Sequence, residues 1–145
     1  MIRLRYTLCA EKIVRDADSN MVSAFDIVEE IQSPGFPRLV IRLMAILVLE
    51  RDPGDPQRPP AEVVLSLNGK EIHKAALNVD FQGVNRTRAI VTLGGLVLTE
   101  PGQFKISYFV AGQPIASNDI PVTQIGAPPV EISQTGVSTS SAGAS

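Results

Sequence analysis

The segment "AEVVLSLNGKEIHKAALNVDF", residues 61–81, favours a β-hairpin. Alternate residues are apolar on both sides of a central dipeptide, at Val63, Leu65, Leu67, Leu77, Val79 and Phe81. Such alternation is typical of strands that bury one face. The central dipeptide, Asn68-Gly69, is well suited to a two-residue type I′ turn, in which both central residues need a positive φ. We therefore predict two antiparallel strands joined at Asn68-Gly69.

A second hairpin is predicted in "LTEPGQFKISYFVAGQPIASNDIPV", residues 98–122. A Pro-Gly turn leads into its first strand, and a Gly-Gln-Pro turn precedes the second. One face of the first strand is predicted to carry Phe104, Ile106, Tyr108 and Val110. Short strands separated by turns at this spacing indicate a sandwich. This hairpin would then be its last.

The most apolar segment of the chain is 38–50. Its two faces are predicted to hold Leu39, Ile41, Leu43, Ala45, Leu47 and Leu49 on one side and Val40, Met44, Ile46 and Val48 on the other. A strand that is apolar on both faces is usually central in its sheet or covered on its outer side. We expect a covered central strand, and the alternative is an exposed apolar patch that binds a partner.

The N-terminal third of the chain is less clear. In residues 2–15, the alternation of Ile2, Leu4, Tyr6 and Leu8 predicts a strand that buries all four. Residues 21–31 fit a helix through Val22, Phe25 and Val28, or a strand through Phe25, Ile27 and Ile31. We favour the strand because a turn sequence precedes it. Pro34 and Pro37 then impose a bend.

Composition bounds the class of protein. The chain has 145 residues, of which 44% are hydrophobic and 5% aromatic, with no Trp and a net charge of −2. This composition fits one globular domain with an aliphatic core, and it argues against a dedicated nucleic-acid binder. A single cysteine and no apolar stretch long enough to span a bilayer predict a cytoplasmic protein without a membrane segment.

Two regions are predicted. Residues 1–125 form the sandwich domain, an all-β, single antiparallel sandwich that is immunoglobulin-like in the broad sense. Residues 126–145 are rich in Ser, Thr, Gly and Ala and carry one charged side chain, Glu131. They have too little apolar surface to offset the entropy of ordering, so a flexible tail is predicted.

Several local sequences resemble a widespread family of small bacterial β-sandwich proteins of unknown function. The matching stretches are "LCAEKIV", "SAFDIVEEI", the "GFP" bend and the final Pro-Gly hairpin, with Leu8, Cys9, Ala24, Phe25, Phe36, Pro37, Pro101, Gly102 and Phe104 at the matching positions. The resemblance covers roughly residues 3–125 and implies a fold. It implies no catalytic residues.

We predict no metal site and no cofactor. Asp16, Asp18 and Asn20 have the spacing that begins a calcium loop, but Met21 and Ile27 occupy the positions that need glycine and a bidentate acid. These residues are therefore read as a turn. Cys9 and His73 are too few for a zinc site.

We also predict no catalytic residues. Cys9 falls in an apolar strand and is expected to be a buried hydrophobe, so a dyad with His73 is disfavoured. The acids Asp26, Glu29 and Glu30 lack the aromatic platforms of a sugar-cleaving site and are expected to be solvated. The pairs Arg3/Arg5 and Arg86/Arg88 are expected to face solvent or to pair with acids.

The remaining function is interaction. We predict a non-enzymatic binding or structural module acting through protein partners or self-association, without nucleic acid or membrane. Ser107, Phe109, Gln113 and Asn118 are the candidate interaction edge, since the last hairpin could end its sheet. The alternative is a small-ligand protein or enzyme with a site between the sheets or at the loop end, near Asp26, Glu29 and His73.

Overall fold

A computed structural model describes residues 1–126 of the chain, and the predicted tail lies outside these described residues except for Gly126. The nine strands are β1 (Arg3–Arg15), β2 (Val22–Ile27), β3 (Ile31–Ser33), β4 (Arg38–Glu50), β5 (Ala61–Leu67), β6 (Lys70–Ala76), β7 (Arg86–Leu98), β8 (Gly102–Val110) and β9 (Gln113–Gln124). Within 1–126 there is no helix, so none that could cross a bilayer.

The strands form two sheets that pack face to face. Sheet A has the order β2-β1-β4-β7, and sheet B has the order β3-β9-β8-β5-β6. The predicted all-β sandwich is confirmed. One pair departs from the antiparallel prediction, because β3 runs parallel to β9. This arrangement follows from the chain crossing from sheet A to sheet B between β2 and β3.

The core lies between the two inner faces. It contains the predicted face of β8, with Phe104, Ile106 and Tyr108 fully buried and Val110 nearly so. Aliphatic side chains from β4, β5 and β7 pack opposite and beside them. Burial of each such side chain contributes about 1.5–3 kcal/mol, so a core with few aromatic residues is sufficient here.

The predicted turn at Asn68-Gly69 is confirmed, since φ is 52° at Asn68 and 81° at Gly69. The return strand differs from the prediction. It spans Lys70–Ala76, which is mostly exposed, while Leu77, Val79 and Phe81 are buried in the connection that follows it. The alternating apolar residues after the turn therefore mark a segment that fills the core. It contacts the sheet backbone through the hydrogen bond from the N–H of Leu77 to the carbonyl of Ala61.

The predicted alternation along β1 is wrong at Tyr6. A bulge lies between Leu4 and Tyr6 in the pairing with β4. The extra residue reverses the faces, because side chains alternate with a period of two. Ile2 and Leu4 pack against the main core, whereas Tyr6 lies exposed on the outer face and Leu8 joins a separate outer cluster.

The strand interpretation of residues 21–31 is confirmed, but the predicted common face is wrong. The segment is divided between β2 in sheet A and β3 in sheet B. Val22 and Ala24 pack in the outer cluster, so Phe25 and Ile27 on the alternate face of β2 point away from it. Phe25 and Ile27 are consequently exposed, and Ile31 joins the core from the other sheet.

Strand β4 is central in sheet A, as predicted, and the second half of its outer face is covered. The cover is the hairpin of β1 and β2, which curls over the sheet and buries Ile46 together with Ala10 and Ile13. The backbone N–H of Ile13 lies 3.4 Å from the sulfur of Met44, and the hairpin turn reaches Arg88 on β7 through Asn20. The outer apolar positions of this half are therefore part of a second, smaller core.

The turn between β5 and β6 is held against the start of β8 by Asn68. Its side-chain nitrogen donates to Glu100 at 2.6 Å and to the carbonyl of Pro101 at 3.0 Å, and its oxygen accepts the N–H of Gln103 at 2.8 Å. Gly102 lies directly beneath. A Cβ at Gly102 would be 1.8 Å from the Asn68 side-chain oxygen, and φ there is +143°.

Gly102→Ala should lower the free energy of unfolding by at least about 2 kcal/mol, because the strained φ and the displaced Asn68 hydrogen bonds both destabilise the folded state. Urea unfolding followed by circular dichroism measures the change. Gly54→Ala is the matched control, since a Cβ there meets nothing within 4 Å. Equal stability of the two variants would contradict this account of Gly102.

Candidate interaction surface

Partway along β4 and β7, the alternation of inward and outward side chains shifts by one residue. This shift turns apolar side chains outward. In the second half of β4 the inward residues are Leu43, Ala45, Leu47 and Leu49, whereas in the first half Val40 packs against the core. Strand β7 changes in the same way at the same level, with Leu93 inward before Gly94-Gly95 and Leu96 inward after it. The residues opposite this pair of glycines are therefore turned away from the core.

Gly94 and Gly95 make this shift feasible. Gly95 adopts a φ of +66°, and a Cβ on Gly94 would lie 3.3 Å from the carbonyl oxygen of Ile41. Glycine adopts such a backbone conformation without the steric penalty of other residues. As a result Ile41 is 79% exposed and Leu39 is 55% exposed. Leu39 and Ile41 were predicted to share the buried face of Leu43. This prediction is wrong, because it continued the alternation of the second half of β4 across the shift.

We call the exposed apolar group formed by Phe25, Leu39, Ile41 and Val97 the Leu39 patch. Val97 lies directly opposite Leu39 in the register of β4 and β7. Phe25 enters from β2 and lines, with Leu39 and Ile41, one open hollow of about 450 Å³. All four side chains are at least 50% exposed. The expectation that segment 38–50 is covered throughout is therefore wrong for its first half.

Charged side chains of both signs surround the hollow: Glu11, Lys12, Asp26, Arg38 and Arg42. An apolar centre with a polar rim is the usual anatomy of a protein–protein contact. Continuous exposed apolar groups on a folded protein mark binding sites more often than isolated ones do. The arrangement therefore has the chemistry of a contact surface.

One backbone edge beside the patch is unpaired. The pairing between β1 and β4 ends at Ala10 and Met44, and from Arg38 to Leu43 the described strands pair with β4 only on the β7 side. Arg38 and Arg42 flank this edge. In an antiparallel pairing of two copies centred on Val40 these cations would lie opposite each other, which is unfavourable. Strand addition by a second copy in this register is therefore disfavoured.

The candidate interaction residues of the last hairpin lie in different settings. Strand β8 is flanked by β5 and β9, so the hairpin does not end the sheet along β8. Ser107 and Phe109 are half-buried on the outer face of that strand, and Gln113 is exposed next to the turn. Their role in binding stays a prediction.

Asn118, the fourth of these residues, is engaged inside the protein. Its side-chain oxygen accepts the hydroxyl of Tyr108 at 2.7 Å and the hydroxyl of Thr7 at 3.2 Å. Tyr108 is fully buried, and burial raises the pKa of its hydroxyl. Asn118 thus joins the two sheets and accepts a hydrogen bond from a polar group buried in the core.

The residues of the alternative ligand site are not brought together. Asp26 and Glu29 lie in and just after β2, at one lateral edge of sheet A. His73 lies on β6, at the opposite edge of the sandwich, where it lines a hollow of about 450 Å³ with Asn78 and Thr92 beside β7. Acid and imidazole groups at opposite edges cannot share one substrate.

The turn at 16–20 is built by local hydrogen bonds. The carboxylate of Asp16 accepts the hydroxyl of Ser19 at 2.6 Å and the N–H of Asp18 at 3.3 Å. The Ser19 hydrogen bond lowers the pKa of Asp16. Within residues 1–126 no group of three or more His, Cys, Asp or Glu side chains could hold a metal ion.

The outer face of sheet A carries a row of ion pairs at one end. Glu50 lies 2.7 Å from the guanidinium of Arg86, 3.7 Å from that of Arg5 and 3.9 Å from that of Arg3. The hydrogen bond from Arg86 lowers the pKa of Glu50. Three of the four arginines for which solvent exposure or pairing with an acid was predicted, Arg3, Arg5 and Arg86, therefore pair with Glu50. The fourth, Arg88, has no such partner among the described residues.

The Leu39 patch could not be located from the apolar pattern alone. Leu39 and Ile41 look like continuations of the buried series, and no local signal in β4 itself marks the shift. The nearest signal is the Gly94-Gly95 pair, because adjacent glycines inside a strand often mark an irregular backbone. Knowing that these glycines lie opposite Ile41 requires the register.

Comparisons with known proteins give distant structural likenesses. No protein-family model matches the chain, and no curated protein matches its sequence. A DNA-bound alkylpurine DNA glycosylase, AlkC from Pseudomonas fluorescens, aligns at 10% identity and a TM-score of 0.47 over 83% of this chain and 30% of its own. An immunoglobulin-like protein from Pseudomonas aeruginosa aligns at 10% identity and a TM-score of 0.42 over 85% of this chain and 97% of its own. At these values neither match bears on what this chain does.

Cys9 should be inert toward thiol reagents in the folded protein. It is buried on the inner face of β1, and burial raises the pKa of its thiol to about 12, so almost no thiolate exists near neutral pH. Because the thiolate is the reactive form, modification by an aromatic disulfide near pH 8 should be at least about 100-fold slower than in urea-unfolded protein. The rate of absorbance change measures this. A native rate close to the unfolded rate would show that Cys9 is accessible.

Proposed function

We propose that this protein is a non-enzymatic binding module that acts through protein–protein contacts, with the Leu39 patch as its contact surface. The observation that supports the proposal is the exposure of Leu39 and Ile41 beside Phe25 and Val97. The rest of β4 is covered on both faces, by the core and by the β1–β2 hairpin. The patch is thus the part of this strand that needs a partner.

The occupant we propose is a second copy of the same chain. The rim of the patch holds two acids, Glu11 and Asp26, and three bases, Lys12, Arg38 and Arg42. A contact about a twofold axis places the same surface on both sides, so a rim of mixed sign can pair acids with bases across it. The unfavourable alignment of Arg38 with Arg42 at the backbone edge favours packing of side chains over strand addition.

The family resemblance of "LCAEKIV" and the final hairpin also supports the proposal. It implies a sandwich without catalytic residues. Such a module is suited to recognition by surface complementarity. The positions that match the family include Phe25, which is one of the four side chains of the Leu39 patch.

Ile41→Asp should weaken self-association of the full chain. Burial of an isoleucine side chain stabilises a contact by about 1.5–3 kcal/mol, and a buried unpaired carboxylate opposes it further. We expect the dissociation constant of the dimer to rise at least about tenfold. Light scattering coupled to gel filtration over a concentration series measures the change.

Ile72→Asp is the matched control, because Ile72 is an exposed isoleucine on β6 in the other sheet. This variant should dimerise like the parent protein. Thermal unfolding should be nearly unchanged for both variants, since neither side chain is in the core. A parent protein that stays monomeric at its highest soluble concentration would overturn the proposed second copy.

A further inference from the structure

A hollow lies between the tip of the β1–β2 hairpin and the first half of β7, away from the Leu39 patch. Its volume is about 610 Å³, and polar side chains line most of it, including Arg15, Asn20, Asn78, Gln82 and Arg88. The hairpin tip forms one wall because Asn20 contacts both arginines. We call this feature the arginine hollow. Its lining residues differ from those of the Leu39 patch.

Two guanidinium groups converge there on one neutral acceptor. Arg15 donates through Nη1 to the side-chain oxygen of Asn20 at 3.2 Å, and Arg88 donates through Nη1 to the same oxygen at 3.3 Å. The Nε of Arg88 is buried and has no hydrogen-bond partner within the described part of the chain. Buried polar groups are almost always paired, so this donor indicates a missing acceptor.

The other charges around the hollow are already compensated. The carboxylate of Asp80 is held by Arg58 at 3.1 Å and by the N–H of Gln82 at 2.9 Å. Arg86 is paired with Glu50. Among residues 1–126 no carboxylate lies within 4 Å of the guanidinium of Arg15 or Arg88. Arg15 and Arg88 therefore have no direct ion pair among the described residues. The acids beside them are Asp16, which interacts with the charge of Arg15, and Asp80 in the lining of the hollow.

We propose that the arginine hollow binds a phosphate group, either as free phosphate or as the phosphate of a small phosphomonoester. Arginine forks match the oxygens of phosphate in paired hydrogen bonds and keep their charge at all physiological pH values. A tetrahedral anion in the hollow could accept from the guanidinium groups of Arg15 and Arg88 together. Asn78 and Gln82 also line the hollow, and a side-chain amide can donate to an anion.

Calorimetric titration of the full chain tests this proposal with three probes at constant ionic strength: inorganic phosphate, O-phosphoserine and acetate. We expect one phosphate per chain and little binding of acetate. Tighter binding of O-phosphoserine identifies a phosphomonoester, and equal binding identifies free phosphate. Failure of both phosphates, or equal binding of acetate, would overturn the proposal.

Arg88→Ala should weaken phosphate binding at least about tenfold, because charge-assisted hydrogen bonds to the anion are lost. Lys70→Ala is the matched control, since it removes one positive charge from the exposed β6 in the other sheet. It should bind phosphate like the parent. Equal affinity of the two variants would count against the arginine hollow.

Asn20→Asp gives a test that does not depend on the stability of the Arg88 variant. Asn20 has a φ of 61°, which aspartate tolerates. The new carboxylate would lie where both guanidinium groups already point. We expect phosphate binding to be lost while the melting temperature in phosphate-free buffer rises. A variant that binds phosphate as the parent does would show that the anion site lies elsewhere.

Discussion

The fold depends on how β4 is covered. This strand is apolar on both faces and lies between β1 and β7, so each face needs its own layer. Sheet B covers the inner face. The β1–β2 hairpin curls over the second half of the outer face and buries Ile46. Without this hairpin, two packed sheets alone would leave the outer face of β4 in water, and the exposed apolar area would destabilise the protein.

In the first half of β4, the opposite set of side chains faces the core, because the alternation along the strand shifts by one residue. The shift is matched in β7, where Gly94 and Gly95 keep the register while the side chains reverse. Val40 and Leu96 turn inward, and Leu39 and Val97 turn outward. The irregularity thus produces the Leu39 patch at the cost of one residue pair, at Ile41, and leaves the register of the two strands unchanged.

The sequence correctly predicts the parts of this fold that depend on residues close together in the chain. The Asn68-Gly69 turn and the inward face of β8 depend on neighbouring residues, and both are as predicted. Three of the errors share one cause. Tyr6, Ile31 and Ile41 each lie beyond an irregularity or a change of sheet that reverses or replaces their environment. Such shifts are set by tertiary pairing, which an alternating pattern does not encode. The arginine hollow was missed for a related reason, because Asn20 and Arg88 are distant in sequence.

The β1–β2 hairpin contributes to both surfaces. Its tip supplies Arg15 and Asn20 to one, and its last strand supplies Phe25 to the other. Any tilt of this arm over β4 moves all three groups together. Occupancy of either surface that favours one tilt changes the affinity of the other, and thermodynamic linkage makes the two effects equal. Both surfaces therefore depend on the hairpin keeping its position over β4.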